Sequence, residues 1–115
     1  MPKQLQDKLA QFQTLQNQLQ LTSMQKQQFF LQSAETDNAL KALEEASGEK
    51  IYRAAGPLLI ETTKDASEKK LKEDKELAET RVKMLEKQEK KMIEKLDELR
   101  TEIQGMMKPP GSPSN

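Results

Sequence analysis

The side chains that could carry acid–base chemistry in this sequence are carboxylates and amines. The chain has 19 Lys and Arg residues, 19 Asp and Glu residues, and neither His nor Cys. The commonest general base and zinc ligand is therefore absent, as are thiolate metal sites and disulfides. Several carboxylates precede an amine by four residues, as in Glu68 and Lys72 or Glu79 and Lys83. This spacing gives weakly stabilising ion pairs on an exposed helix, so it predicts a solvated helix surface.

The segment Ser47-Gly48-Glu49-Lys50 contains the residue types of a phosphate-binding loop. It lacks the spacing of that loop, and a glycine after a periodic apolar stretch is typical of a helix end. An enzyme built on this chain would have to use Asp, Glu, Lys, Ser and Tyr without an enclosed pocket. We therefore expect no enzymatic activity, no metal site and no cofactor.

Two short apolar segments near the middle of the chain point to association instead. They are Ile51–Ala54 and Leu58–Ile60, and they flank Ala55-Gly56-Pro57, where glycine can supply a positive φ and proline fixes its own. This predicts a β-hairpin over about residues 51–62. A lone hairpin is marginally stable and its open edges tend to pair with other strands, so we predict an oligomerisation element. Its candidate residues are Ile51, Tyr52, Ala54, Gly56, Leu58, Leu59 and Ile60.

A helix over about residues 3–46 is predicted to lead into this hairpin. Its apolar stripe has spacings of three and four and comprises Leu5, Leu9, Phe12, Leu15 and Leu19. The stripe loosens where Ser23, Lys26 and Ser33 fall on it, and we expect a shift of face there. It recovers at Leu40 and Leu43.

A second helix is predicted over about residues 64–107, because a hydroxyl cap at Thr62-Thr63 precedes a long heptad stripe. From Leu71 to Met106, only Lys75 and Glu89 interrupt the apolar positions of that stripe. Residues 108–115 are rich in Pro and are predicted to be a disordered tail.

The two helices are predicted to form an antiparallel coiled coil, since a short hairpin returns the chain along itself. If Leu40 faces Leu71, facing residue numbers add to about 111. Leu19 then faces Met92, and the apolar positions agree along most of the length. The expected fold is mainly α, with a long antiparallel two-helix coiled coil joined by one hairpin in a single domain of residues 1–107.

Both chain ends lie at the open end of this coiled coil. Two interpretations of the apolar residues there remain open: they fill the seam between the helices, or they grip clients when the helix ends fray. Methionine is flexible and polarizable, which suits varied partners. The candidate residues for the second interpretation are Leu5, Leu9, Phe12, Ile103, Met106 and Met107.

The balanced charge predicts a protein that binds neither nucleic acid nor anionic membranes, because no segment carries a sustained basic excess. The sequence opens with Met1-Pro2-Lys3-Gln4 and continues into a Gln-rich segment, which is not typical of a secretory signal. We expect a soluble, cytoplasmic protein.

The order helix, hairpin, helix resembles the β-class subunit of prefoldin, a hexameric co-chaperone of archaea and eukaryotes. The segments that carry the resemblance are Leu9-Ala10-Gln11-Phe12-Gln13 with Leu15-Gln16, Gln25-Lys26-Gln27, Ala39-Leu40-Lys41-Ala42-Leu43-Glu44-Glu45, Ile51-Tyr52-Arg53 through Gly56 to Leu58-Leu59-Ile60, and Leu85-Glu86-Lys87-Gln88-Glu89. Pro57 is closer to the eukaryotic subunit-six type than to the archaeal pattern, so both lineages remain open.

The resemblance implies a hexamer of two α-class and four β-class subunits whose hairpins form an intersubunit β-barrel. It also implies an ATP-independent holdase that binds unfolded proteins and delivers them to a group II chaperonin. The alternative is a coiled-coil adaptor that assembles other proteins without binding unfolded clients.

Overall fold

The computed structural model describes residues 2–107, and the tail predicted at 108–115 lies outside the described residues. Helix α1 spans Lys3–Glu45, strand β1 Ile51–Ala55, strand β2 Leu58–Thr62 and helix α2 Lys64–Met107. The strands pair antiparallel. Two long helices joined by one hairpin are the predicted fold class, which is thereby confirmed.

The end of α1 and the start of α2 are capped by residues of the connection and by Lys64, the first residue of α2. After α1, Gly48 has a φ of +69°, a left-handed conformation that glycine adopts without steric cost. The amine of Lys64 donates hydrogen bonds to the carbonyls of Glu44 and Ala46 at 3.3 and 2.9 Å, which satisfies acceptors that α1 leaves open. At the start of α2, Thr63 Oγ1 accepts the N–H of Ala66 at 3.1 Å, as an N-cap does.

The described residues up to Gln25 and from Leu85 onward form one compact unit, here called the terminal unit. Its core consists of apolar side chains from both helices: Leu5, Leu85, Leu96, Leu99 and Ile103. Leu99 is only 1% exposed. Across the helices, Lys8 pairs with Glu102 at 2.7 Å and Ser23 donates a hydrogen bond to Glu89.

The second compact unit, Lys26–Met84, contains the hairpin and is here called the hairpin unit. Leu43 of α1 and Ala78 of α2 are its buried apolar residues. Asp37 and Lys75 pair across the helices at 2.9 Å. Both polar interruptions of the α2 stripe therefore have a polar partner on α1: Lys75 pairs with Asp37, and Glu89 accepts a hydrogen bond from Ser23.

The helices pair in the predicted antiparallel register. Three contacts between the helices show this register: Lys8 with Glu102, Ser23 with Glu89, and Asp37 with Lys75. The two residue numbers of each pair add to 110 or 112, within one of the predicted sum of about 111. The expected shift of face in α1 does not occur. The buried or half-buried positions continue at spacings of three and four through Thr22, Lys26, Phe29, Ser33, Thr36 and Leu40. Thr22 and Thr36 are buried on the seam, and Thr36 Oγ1 donates a hydrogen bond to the carbonyl of Gln32 at 2.8 Å, which satisfies its hydroxyl within the helix.

The Asp37–Lys75 pair predicts a pH-dependent contribution to stability. The hydrogen bond and charge of Lys75 lower the pKa of Asp37 below its usual value, and Lys41, 3.8 Å away, adds to this effect. A carboxylate whose pKa is lower in the folded than in the unfolded state stabilises the fold above the unfolded value of about 3.9. That contribution is lost as the pH falls through the folded-state pKa.

We therefore expect Asp37→Asn to lower the Tm at neutral pH, and the difference from wild type to shrink below about pH 4. Thermal unfolding followed by circular dichroism from pH 7 to pH 2 measures this difference. Glu68 and Glu102 also have lowered pKa values, through Lys72 and Lys8. Both residues are present in the wild type and in the variant, so their contributions cancel in the Tm difference. A difference that does not vary with pH would contradict the assignment.

Candidate assembly and client-binding sites

The hairpin is closed by the two-residue turn Gly56-Pro57. Gly56 has a φ of +59°, and the ring of Pro57 holds its φ negative, a combination that matches a type II′ turn. Ala55 pairs with Leu58, Ala54 with Leu59 and Arg53 with Ile60. This turn suits the right-handed twist of paired strands and fixes their register.

That register divides the hairpin side chains between two faces, because directly paired residues share a face and neighbours alternate. One face carries Ile51, Arg53, Ala55, Leu58, Ile60 and Thr62, and the other carries Tyr52, Ala54, Leu59 and Glu61. Leu58, Leu59 and Ile60 are 62%, 72% and 41% exposed, and Tyr52 is also exposed. Of the seven residues predicted for assembly only Ile51 is even half-buried, so the hairpin presents apolar side chains on both faces.

A groove of about 950 Å³ lies beside the hairpin within the hairpin unit. Its helical walls include the small residues Ala39 and Ala42 on α1 and Ala66 and Ser67 on α2, and Ala46 lines it just after the end of α1. Four consecutive residues of β1, Ile51–Ala54, form the third wall. Sequence reasoning missed this groove, although three alanines at spacings of three and four, two on α1 and one just after its end, are a signal for close approach by a neighbour.

The six residues predicted for client binding all belong to the terminal unit, and they differ in exposure. Leu5 and Ile103 are buried between the helices, and Phe12 is half-buried with the guanidinium of Arg100 at 5.9 Å from its ring centre. The other three are exposed: Leu9, Met106 and Met107. In the described fold, the first set fills the seam and the second set is available to a partner.

The terminal unit also exposes Leu21, Met24 and Ile93, away from the seam. Leu21 and Met24 are three residues apart on α1, in a stretch from Leu9 to Gln25 that carries no charge. Leu21 and Met24 therefore give this uncharged stretch an exposed apolar surface. These residues provide a comparison surface for any test of client binding.

Residues 2–107 contain no group of three or more His, Cys, Asp or Glu side chains placed to hold a metal ion. Over the same residues, neither helix has a stretch apolar enough to cross a bilayer. The geometry of the described chain is that of a surface for protein contacts: an exposed apolar hairpin in one unit and exposed apolar side chains on paired helices in the other.

Comparison with known families identifies this arrangement. The family model described as prefoldin subunit matches residues 6–109. The chain belongs to the prefoldin subunit family. The prefoldin subunit beta of Thermococcus kodakarensis is 42% identical over 110 residues, which cover 95% of this chain and 94% of the relative. The prefoldin subunit beta of Pyrobaculum arsenaticum is 42% identical over 103 residues, covering 89% and 83%.

Solved prefoldin structures agree in fold. The crystal structure of the prefoldin beta subunit from Thermococcus strain KS-1 matches with a TM-score of 0.83 at 42% identity, covering 95% of this chain and 96% of that one. The beta2 subunit from the same strain matches with a TM-score of 0.71 at 27% identity, covering 78% and 97%. The resemblance to β-class prefoldin subunits is therefore confirmed.

Proposed function

We propose that this chain is a β-class subunit of a prefoldin hexamer that acts as an ATP-independent holdase in the cytoplasm. The observation that carries the proposal is the single hairpin with exposed Leu58, Leu59 and Ile60 in a chain of the prefoldin family. Large apolar side chains on both faces of a two-stranded sheet are costly to leave in water, and packing against other subunits buries them, while strand pairing satisfies the open edges.

In the proposed hexamer, four copies of this chain join two α-class subunits, and the hairpins form a shared β-barrel. Residues 1–107 serve as one prefoldin domain. Unfolded clients bind through exposed apolar side chains of the terminal unit and pass to a group II chaperonin, with no enzymatic step, cofactor, nucleic acid or membrane involved. Flexible methionines among these residues suit clients of varied sequence.

Mixing the chain with an α-class prefoldin subunit tests this function. Native mass spectrometry is expected to give a complex of four β and two α chains. The complex should suppress light scattering from an aggregating unfolded protein without ATP, whereas an equal mass of the chain alone should protect less, because tethered weak contacts raise avidity. Failure to form the four-to-two complex would refute the assembly, and a complex without protection would favour the adaptor function.

A further inference from the structure

The groove beside β1 has an apolar part that is open to a ligand. This part comes from both helices and the first residue of β1: Ala39, Ala42, Leu43, Ile51, Ala66 and Leu71. The three alanines are exposed, and their short side chains leave space between the helices and the hairpin. The groove volume of about 950 Å³ lies within the range of about 300–1,000 Å³ that is typical of sites for small organic ligands.

The groove also has a cationic part, on the side of the hairpin. Lys50, just before β1, and Arg53, on β1, both contribute to the lining. The groove residues Lys70 and Asp74 pair with each other at 3.1 Å. Lys50 and Arg53 have no ion-pair partner among residues 2–107. Two uncompensated positive charges therefore lie beside the apolar walls.

From these two parts of the lining we infer that the groove binds a long-chain aliphatic carboxylate, the chemical class of a free fatty acid anion. The aliphatic chain lies against the alanine and leucine side chains of the helices and removes their apolar surface from water. The carboxylate accepts charge-assisted hydrogen bonds from the guanidinium of Arg53 and the amine of Lys50. One ligand thus uses both parts of the lining.

The alanine walls favour this ligand over a peptide. A peptide carries N–H and C=O groups along its whole length, and each needs a partner when it leaves water. Alanine side chains offer no such partner, and the backbone groups within the helices behind them are already paired with each other. An aliphatic chain needs none. The binding concerns a single copy of this chain and no α-class subunit, so it goes beyond the function proposed above.

Tyr52 provides a built-in reporter for this groove, because it is the one tyrosine of a chain that has no tryptophan. Its side chain lines the groove and is 51% exposed. Sodium decanoate, kept below its micelle concentration and titrated into the full chain, is expected to change the fluorescence of Tyr52 and to shield it from quenching by acrylamide. Isothermal titration calorimetry on the same samples gives the affinity and the number of decanoate ions bound per chain.

The charge of the ligand and of the groove can be varied separately. Decyltrimethylammonium has the same apolar chain with a positive head group, and it should bind at least about tenfold more weakly because it meets Lys50 and Arg53. Lys50→Gln and Arg53→Gln should each weaken decanoate binding by about tenfold, as expected for the loss of a hydrogen bond to a charged group. Arg81→Gln and Lys83→Gln are the matched controls, since both residues are exposed on α2 outside the groove lining, and should leave binding unchanged.

Filling the groove tests the site of the aliphatic chain. Ala42→Leu places a larger side chain in the space that the ligand occupies, and leucine is a good helix former, so helix content should not fall. Decanoate binding should weaken by at least about tenfold. Ala34→Leu makes the same change at an exposed position of α1 outside the lining and should bind as wild type does. Circular dichroism of each variant measures helix content.

Several results would overturn the inference. Heat of decanoate binding without any change at Tyr52 would place the ligand elsewhere on the chain. Equal binding of decyltrimethylammonium, or wild-type affinity in A42L or R53Q, would rule out the combined apolar and cationic site. If a capped peptide of alternating Leu and Glu displaces decanoate and binds more tightly, the occupant is an acidic peptide and the carboxylate assignment is wrong. Formation of the four-to-two complex in any of these cases would leave the proposed function intact.

Discussion

Leu59→Asp or Ile60→Asp is expected to abolish assembly with the α-class subunit while leaving the helix content almost unchanged. Leu59 pairs with Ala54 and Ile60 with Arg53, so the two side chains lie on opposite faces of the hairpin. Both are exposed in the single chain, and an aspartate there costs the isolated subunit little. In an assembly that buries both faces, an unpaired carboxylate is strongly unfavourable.

The expected loss is at least about 100-fold in the affinity for the α-class subunit, corresponding to a few kcal/mol for an imperfectly compensated buried charge. Native mass spectrometry and circular dichroism of the same samples measure assembly and helicity. Leu77→Asp is the matched control, because Leu77 is a comparably exposed leucine of the hairpin unit that lies on α2. If L77D disrupts assembly as strongly as L59D, the hairpin is not the assembly element. The same conclusion follows if L59D loses helix signal in proportion to its loss of assembly.

The variant pair also separates the two faces. If only the face that carries Leu59 is buried on assembly, L59D fails and I60D assembles. The hairpin register makes this comparison possible, because neighbouring residues test opposite surfaces of one strand.

Local signals explain why the helices and hairpin are predictable from sequence. The turn at Gly56-Pro57 and the threonine cap at Thr63 act within a few residues, and the heptad stripe of α2 repeats over most of its length. One anchor, Leu40 against Leu71, then fixes the register of both helices. Lys75 and Glu89 were recognisable as interruptions of the stripe, but their partners Asp37 and Ser23 depend on the packing of a second helix.

The features that sequence reasoning missed are those that depend on how surfaces face each other. Leu5 and Leu9 look alike in a stripe with spacings of three and four, yet Leu5 is buried while Leu9 is exposed and Lys8 points across to Glu102. The buried and half-buried residues of α1 recur at alternating spacings of three and four, beginning with Leu5, Lys8 and Phe12. Leu9 lies one residue away from this pattern. The groove beside β1 was missed because residues from α1, β1 and α2 meet there only in three dimensions.

This difference in exposure sharpens the test of where unfolded clients bind. Replacing Leu9, Met106 and Met107 together by glutamine removes exposed apolar side chains near the chain ends without touching the buried Leu5, Leu99 or Ile103. The triple variant should therefore keep its fold and its place in the hexamer. It should lose most of its protection of a denatured client, since each subunit gives up its weak contact and the avidity of the complex falls by roughly 10²-fold.

Protection is measured as the suppression of light scattering from an aggregating client at equal hexamer concentration. The matched control replaces Leu21, Met24 and Ile93 by glutamine, which removes three exposed apolar side chains from the same terminal unit at other positions. If clients bind near the chain ends, this control protects as well as wild type. If instead the control loses protection and the L9Q/M106Q/M107Q variant retains it, clients bind to the surface that carries Leu21, Met24 and Ile93, because contiguous exposed apolar area marks a binding surface.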